Sequence, residues 1–213
     1  MGKPNWFIVV DEKTKMKFSR FFATKNGIVE PTCMLIDKFE KINAITKYIR
    51  CDNAGENKTL EKTINGAKWK KGIQFKYTAR STPQQNSLAE TAFSYLLNQA
   101  KALMIEANIP YLIRYKIIQE AAVMVTKLDG LIIDPGETKT RYERFGLKLP
   151  KFVNHMRTWG EAGVVKTSSK TSAKLKDKGI TCAFTGYADD HAGDCYRMWD
   201  PVEHQIYITR DVI

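Results

Sequence analysis

The chain opens with a short continuous apolar run, Trp6–Val10 (WFIVV), bounded by polar positions. Such a run predicts a buried strand. Asp11–Lys15 is a polar turn, and Met16–Ala23 combines alternation with aromatic residues, which predicts a second strand antiparallel to the first. Glu30–Ile42 places Cys33, Ile36 and Phe39 at helical spacing. Thr46–Cys51 is a short strand, Glu56–Trp69 a helix closed by Gly72, and Ile73–Tyr77 another short strand. The clearest helix is Asn86–Ala107, where Leu88, Ala92, Leu96, Ala100 and Leu103 recur every three or four residues. Pro83 precedes it, Asn86 or Ser87 can cap it, and Asn108–Ile109–Pro110 breaks it. Tyr111–Leu128 reads as a further helix.

After Gly130 the pattern changes. Asp134–Pro135–Gly136 is a turn cluster, and Val164–Lys178, rich in lysine, serine and threonine, predicts an exposed loop. From Ile180 the alternation becomes strand-like, with Thr181–Tyr187, Cys195–Trp199 and Gln205–Ile208 separated by turns. A small β-barrel appended to an α/β core accounts for this order. The expected organisation is a core over 1–130, a linker with the lysine-rich loop over 131–178, and the barrel over 179–213.

Composition narrows the function classes. Hydrophobic residues make up 43% and charged residues 27%, which suits a globular chain and not a disordered one. No apolar run approaches the length of a membrane span, and Met1–Trp6 carries no secretion signal, so an intracellular protein is expected. With 34 Lys+Arg against 23 Asp+Glu, the net charge of +11 suits a polyanionic partner. A basic soluble protein with no such partner has the same composition. Cys33, Cys51, Cys182 and Cys195 form no CxxC pair, and with His191 and His204 they do not fall at zinc-finger spacing.

Two segments concentrate candidate chemistry. In Tyr48–Glu56 (YIRCDNAGE) a strand delivers Asp52 into a turn; in Ser81–Glu90 (STPQQNSLAE) a loop delivers Glu90 into the first turns of a helix. Phosphoryl transfer on DNA uses hard divalent cations held by a few carboxylates, which activate the nucleophile and stabilise the leaving oxygen. Taken singly, each acid has an ordinary structural role, as a turn residue or a helix-dipole partner. Gln84, Gln85 and Asn86, on the loop entering the helix, are candidate DNA contacts or simply loop-closing and capping residues. Lys101, three turns beyond Glu90, can reach a phosphate. Lys68, Lys70, Lys71 and the 166–178 lysines can add non-specific attraction or serve as a solvated face.

RCDNAGEN at Arg50–Asn57, GI…STPQQNSLAE at Gly72–Glu90, Gly186–Tyr187, YRMWDP at Tyr196–Pro201 and TRDV at Thr209–Val212 together resemble copia-type retrotransposon integrases over nearly the whole chain. The resemblance implies a ribonuclease-H-like mixed sheet with flanking helices, followed by a small β-barrel. It also implies Mg²⁺ (or Mn²⁺), 3′-end processing and strand transfer on retroelement and target DNA, a homo-oligomer, and nuclear location with a cytoplasmic phase. Asp52 and Glu90 fall on two of the family's three metal-binding carboxylates. The third is expected upstream of Met1, because only two strands precede the first helix and Asp11 fits the acidic turn after the family's second strand. Thr126–Leu131 (TKLDGL) also lacks the asparagine–arginine pair common there. Two other readings stay open: a non-catalytic nucleic-acid-binding or assembly module derived from an integrase, and a nuclease that recruits Asp11.

Overall fold

The computed structural model describes residues 5–78, 87–166, 179–189 and 191–213, without the side chains of Lys25, Asn26, Ser87 and Lys116. It is a mixed α/β chain that forms two compact units, residues 1–95 with 129–148 and residues 96–128 with 149–213.

In the first unit, β1 (Asn5–Val10) pairs antiparallel with β2 (Lys17–Phe22), as the alternation predicts. Helix α1 (Val29–Glu40) follows and buries Thr32, Cys33, Ile36 and Phe39, one stripe at helical spacing. Strand β3 (Tyr48–Cys51) pairs in parallel with β4 (Gln74–Tyr77), joined through α2 (Gly55–Asn65). The expected α2 reached Trp69; the helix instead stops at Asn65. Gly66 follows it, and the amides of Trp69 and Lys70 turn back onto the Gly66 carbonyl. The Asn65 side chain then clasps the next strand's approach, accepting from the Ile73 amide at 2.8 Å and donating to the Ile73 carbonyl at 2.9 Å. Cys33, Ile36, Phe39, Leu60, Ile64 and Ile73 form the apolar cluster, and Phe18, Ile49 and Phe75 bring all three strands β2, β3 and β4 onto it.

One continuous mixed sheet was the expectation. Among the described residues the strands of this unit form two separate two-stranded sheets, β1–β2 and β3–β4. Their common helix layer, not a shared ladder, holds them in one unit.

Helix α3 (Ser87–Glu106) carries the predicted periodicity, with Ala92, Leu96, Ala100 and Met104 buried. The expected helix from Tyr111 begins as a 3-10 turn at Tyr111–Ile113 and continues as α4 (Arg114–Asp129). The stretch expected as a linker is in part structured. Residues 129–148 belong to the first unit, where α5 (Arg141–Phe145) is capped at both ends. Thr140 and Glu143 form a capping box, and Gly146 closes the helix at φ 91°.

What anchors that segment is buried charge. Asp129 is 2% exposed. Lys17 Nζ donates to both its carboxylate oxygens, at 2.8 and 3.0 Å, and Arg141 Nη1 donates to Oδ1 at 2.7 Å. Arg141 also forks onto Asp134, which accepts from Arg144 at 2.6 Å. Arg144 reaches the Lys13 carbonyl in the β1–β2 turn at 3.3 Å. Burial holds the Lys17 ammonium below the usual lysine value, opposed by its bond to Asp129.

The second unit holds an antiparallel sheet in the order β5 (Ala162–Lys166), β6 (Gly179–Tyr187), β7 (Tyr196–Trp199), β8 (Ile206–Thr209). Strand β5 occupies the beginning of the segment read as a lysine-rich loop: Val165 is apolar and buried there, and the ladder with β6 satisfies its backbone. The rest of that loop, 167–178, lies outside the described residues. Beyond β8 the chain bonds back to β5, where the Val164 and Ile213 amides and carbonyls exchange hydrogen bonds at 2.7 and 3.1 Å. Arg197 on β7 grips Glu120 of α4 through two bonds of 2.8 Å, and Trp159 Nε1 donates to the Thr185 carbonyl at 3.0 Å. Gly160 is positioned by necessity. At φ 84°, an added Cβ would stand 2.3 Å from the Ala107 Cβ.

Two outcomes follow from the Asp129 network. Removing its carboxylate with Asp129→Ala leaves Lys17 and Arg141 facing each other, and chemical denaturation should show a loss of about 3–5 kcal/mol. Lys17→Met should cost less in the same measurement, because Arg141 still neutralises Asp129. For Asp134, the Arg141 guanidinium holds its carboxyl below the ordinary 3.8 of a free aspartate. The stability so gained is present above that value and disappears as pH falls through the lower folded value. Asp134→Asn should therefore cost on the order of 1–2 kcal/mol at pH 7. Urea unfolding curves of the variant and the parent should converge in strong acid; a constant gap would refute the assignment.

Candidate active site

Strand β3 positions the first candidate. Its residues alternate, with Tyr48 and Arg50 exposed and Ile49 turned to the apolar cluster, and it ends at Cys51. Asp52 is the next residue and is exposed. Its Oδ1 accepts from Asn57 Nδ2 at 2.6 Å and from the Ala54 amide at 3.4 Å, and its carbonyl accepts from the same Asn57 amide group at 3.2 Å. One carboxylate oxygen thus fixes the turn into α2, whose N-cap Ala54 has no side chain that could do so. Among the described residues Oδ2 has no partner, so Asp52 presents one hard oxygen to solvent.

Glu90 is the fourth residue of α3, exposed, with no hydrogen bond or ion pair among the described residues. It belongs to the same unit as Asp52. The donor set these two offer is oxygen only. The neighbouring Cys51 thiol is pushed up to about 11, by burial first and then by the charges of Asp52 and Glu61, so it stays protonated at neutral pH. Exposed carboxylate oxygens with a protonated thiol beside them suit Mg²⁺ or Mn²⁺ better than a thiophilic ion.

Asp11 is committed elsewhere. Its Oδ2 accepts from both the amide and the hydroxyl of Thr14 at 2.7 Å, and its backbone closes the β1–β2 turn. Among the described residues no three His, Cys, Asp or Glu side chains lie together as a metal cluster. In the second unit, Cys182 and Cys195 are buried and His204 stacks on Trp199.

The DNA-contact candidates divide. Gln84, Gln85 and Asn86 lie outside the described residues. Lys101 is an exposed residue of α3 in the second unit, with no ion pair among the described residues. The Lys68–Lys71 cluster is largely neutralised. Lys68 pairs with Glu30 at 3.2 Å, and Lys71 pairs with Glu40 at 2.6 Å and with Asp37.

Sequence reasoning passed over a different group of residues. Arg50 and Lys76 line a cavity of about 340 Å³ with Tyr77 and Thr78, where β3 and β4 end. The Tyr77 hydroxyl donates to Glu61 at 2.7 Å, and burial raises its pKa. The signal was available in the alternation of TKYIRC and IQFKY, which sets Tyr48, Arg50, Gln74 and Lys76 on the faces opposite Ile49 and Phe75.

Comparison with known proteins places these residues in a wider setting. Among the described residues no helix is long and apolar enough to cross a membrane. In solved structures, the chain is similar to one titled as the simian T-cell lymphotropic virus intasome in complex with PP2A regulatory subunit B56 gamma. The TM-score is 0.47 at 13% identity, covering 88% of this chain and 68% of that one. Its whole length is 24% identical to the Retrovirus-related Pol polyprotein from transposon TNT 1-94 of Nicotiana tabacum, of which it spans 16%. Residues 162–213 match the family described as the retroviral polymerase SH3-like domain. The family match and the tobacco relative both relate this chain to retrovirus-like Pol polyproteins.

Proposed function

We propose that this chain is part of a copia-type retrotransposon integrase, a ribonuclease-H-like core followed by the SH3-like β-barrel domain. Its substrate is DNA, and its reactions are 3′-end processing and strand transfer. The observation that carries the reading is Asp52, set at the end of a parallel strand with Oδ1 tied down by Asn57 and Oδ2 without a partner among the described residues. A ligand held this way keeps its orientation without help from the metal, which is the preorganisation that such a site requires. Glu90 supplies the second carboxylate from the first turn of α3.

Bound between such carboxylates, Mg²⁺ would supply Lewis-acid activation of the attacking oxygen and charge stabilisation at the phosphate. The chain's own contributions are the two oxygen ligands and basic groups that hold the phosphate backbone. The family implies a third carboxylate, and Asp11, whose Oδ2 is held by Thr14 in the β1–β2 turn, is not assigned that role. DNA ends and target DNA are the proposed partners, a homo-oligomer the proposed assembly, and the nucleus the site of action after a cytoplasmic phase. A second reading, a nucleic-acid-binding or assembly module without turnover, is favoured by one observation: Asp11 is half-buried and holds the β1–β2 turn, with Oδ2 bound by both the amide and the hydroxyl of Thr14.

Electron paramagnetic resonance of added Mn²⁺ tests the ligands without requiring turnover. Bound Mn²⁺ should be lost in Asp52→Asn and in Glu90→Gln and retained in Asp11→Asn. End-labelled duplex cleavage and joining assays give the second readout. Turnover abolished by Asp11→Asn would overturn the assignment in favour of a nuclease using that residue. Full Mn²⁺ binding by Asp52→Asn would remove the metal site from this place altogether.

A further inference from the structure

We propose that the outward face of the β3–β4 pair, built from Tyr48, Arg50 and Lys76, grips the phosphate backbone of a polynucleotide. The proposal rests on the nucleic-acid reading above and assigns it a place. Alternation gives this small sheet two unlike faces. Ile49 and Phe75 lie against the apolar cluster, while Tyr48, Arg50, Gln74 and Lys76 are all exposed. The parallel register sets Arg50 directly across from Lys76. Like charges in that relation repel, and folded proteins ordinarily place a carboxylate beside them.

Here none is supplied. Among the described residues neither Arg50 nor Lys76 makes an ion pair. Of the carboxylates around β3 and β4, Asp52 turns Oδ1 to Asn57 and Glu61 accepts from the Tyr77 hydroxyl, and neither pairs with Arg50 or Lys76. The least exposed cations of this unit, by contrast, Lys17, Lys71, Arg141 and Arg144, all hold carboxylates. Arg50 and Lys76 differ from these in standing in register on one face, at the border of one cavity, without an ion pair among the described residues.

The shape of the face indicates what it takes. Both cations border the cavity with Tyr77 and Thr78 at the carboxyl ends of two parallel strands, the end at which open α/β sheets bind ligands. Lys76 Nζ stands 4.3 Å from the centre of the Tyr48 ring, and that ring is 55% exposed. A cation beside an open aromatic surface is the pattern that tracks a backbone and stacks a base. A four-residue strand runs on the order of 13 Å. Nucleic acid carries a charge about every 3.4 Å per strand, so the face meets more than one phosphate. Arg50 precedes Asp52 by two residues, which brings a phosphate held here next to the exposed carboxylate.

Fluorescence anisotropy with a labelled DNA duplex in the presence of EDTA tests this apart from any metal chemistry. The double variant Arg50→Ala/Lys76→Ala should lose at least about tenfold in affinity at low salt and flatten the slope of log K against log salt by about 1.8, two phosphate contacts' worth. The conservative pair Arg50→Lys/Lys76→Arg should bind as the parent does. Lys139→Ala/Lys148→Ala, which removes two exposed charges from the same unit, should change affinity less than about twofold for want of direct contacts. Equal losses in this control and in the alanine pair, or failure of the conservative pair to bind, would overturn the site. No binding by the parent chain at low salt is a separate outcome, which overturns the nucleic-acid reading itself.

Discussion

Asp129 sits at the end of α4 with almost no contact with water, and a carboxylate can remain ionised there only if cations are brought to it. Two are brought, from opposite directions in the sequence. Lys17 comes from β2, and Arg141 comes from α5. Arg141 then engages Asp134, and Asp134 engages Arg144, which reaches back to the β1–β2 turn. The chain of alternating charges fixes the hairpin, the end of α4 and the segment 129–148 in one unit. Desolvation makes the arrangement stringent, because without the Asp129 carboxylate Lys17 and Arg141 lose their shared counterion in a place with little solvent.

Against that background the charges of β3 and β4 look different in kind. The buried cations of the first unit are used up in holding the fold, whereas Arg50 and Lys76 are solvated and hold nothing among the described residues. The two acids at strand ends divide in the same manner. Asp11 gives Oδ2 to Thr14 and so completes a hairpin turn. Asp52 gives Oδ1 to Asn57 and so fixes the turn into α2. Both residues follow a strand, and exposure separates them: Asp11 is half-buried in its turn, whereas Asp52 is open to solvent.

Much of the architecture could be read from the sequence because it is local. Period-two and period-3.6 patterns marked β1, β2, α1, β3, β4 and α3 with small errors at their ends, and YRMW and QIYI marked strands of the second sheet. Misreadings arose where a neighbour overrode local character. Gly66 and the turn after it cut α2 short of Trp69. Lysine and serine content hid β5, whose backbone is satisfied by β6 and whose Val165 is buried. The segment after Gly130 was read as linker because its anchors, Lys17 and Asp129, lie outside it.

By itself the sequence determined the element order, the excess of positive charge, and the two acids in motifs resembling those of retroelement integrases. Those properties depend on residue type and on spacing along the chain. Tertiary structure decided which charges are spent and which are free. It buried Asp129 between Lys17 and Arg141, neutralised Lys68 and Lys71, tied Asp11 to Thr14, and left Arg50 and Lys76 side by side with no ion pair among the described residues. The energy of a charge depends on its distance to its partners and on its exposure to water, and folding alone sets both.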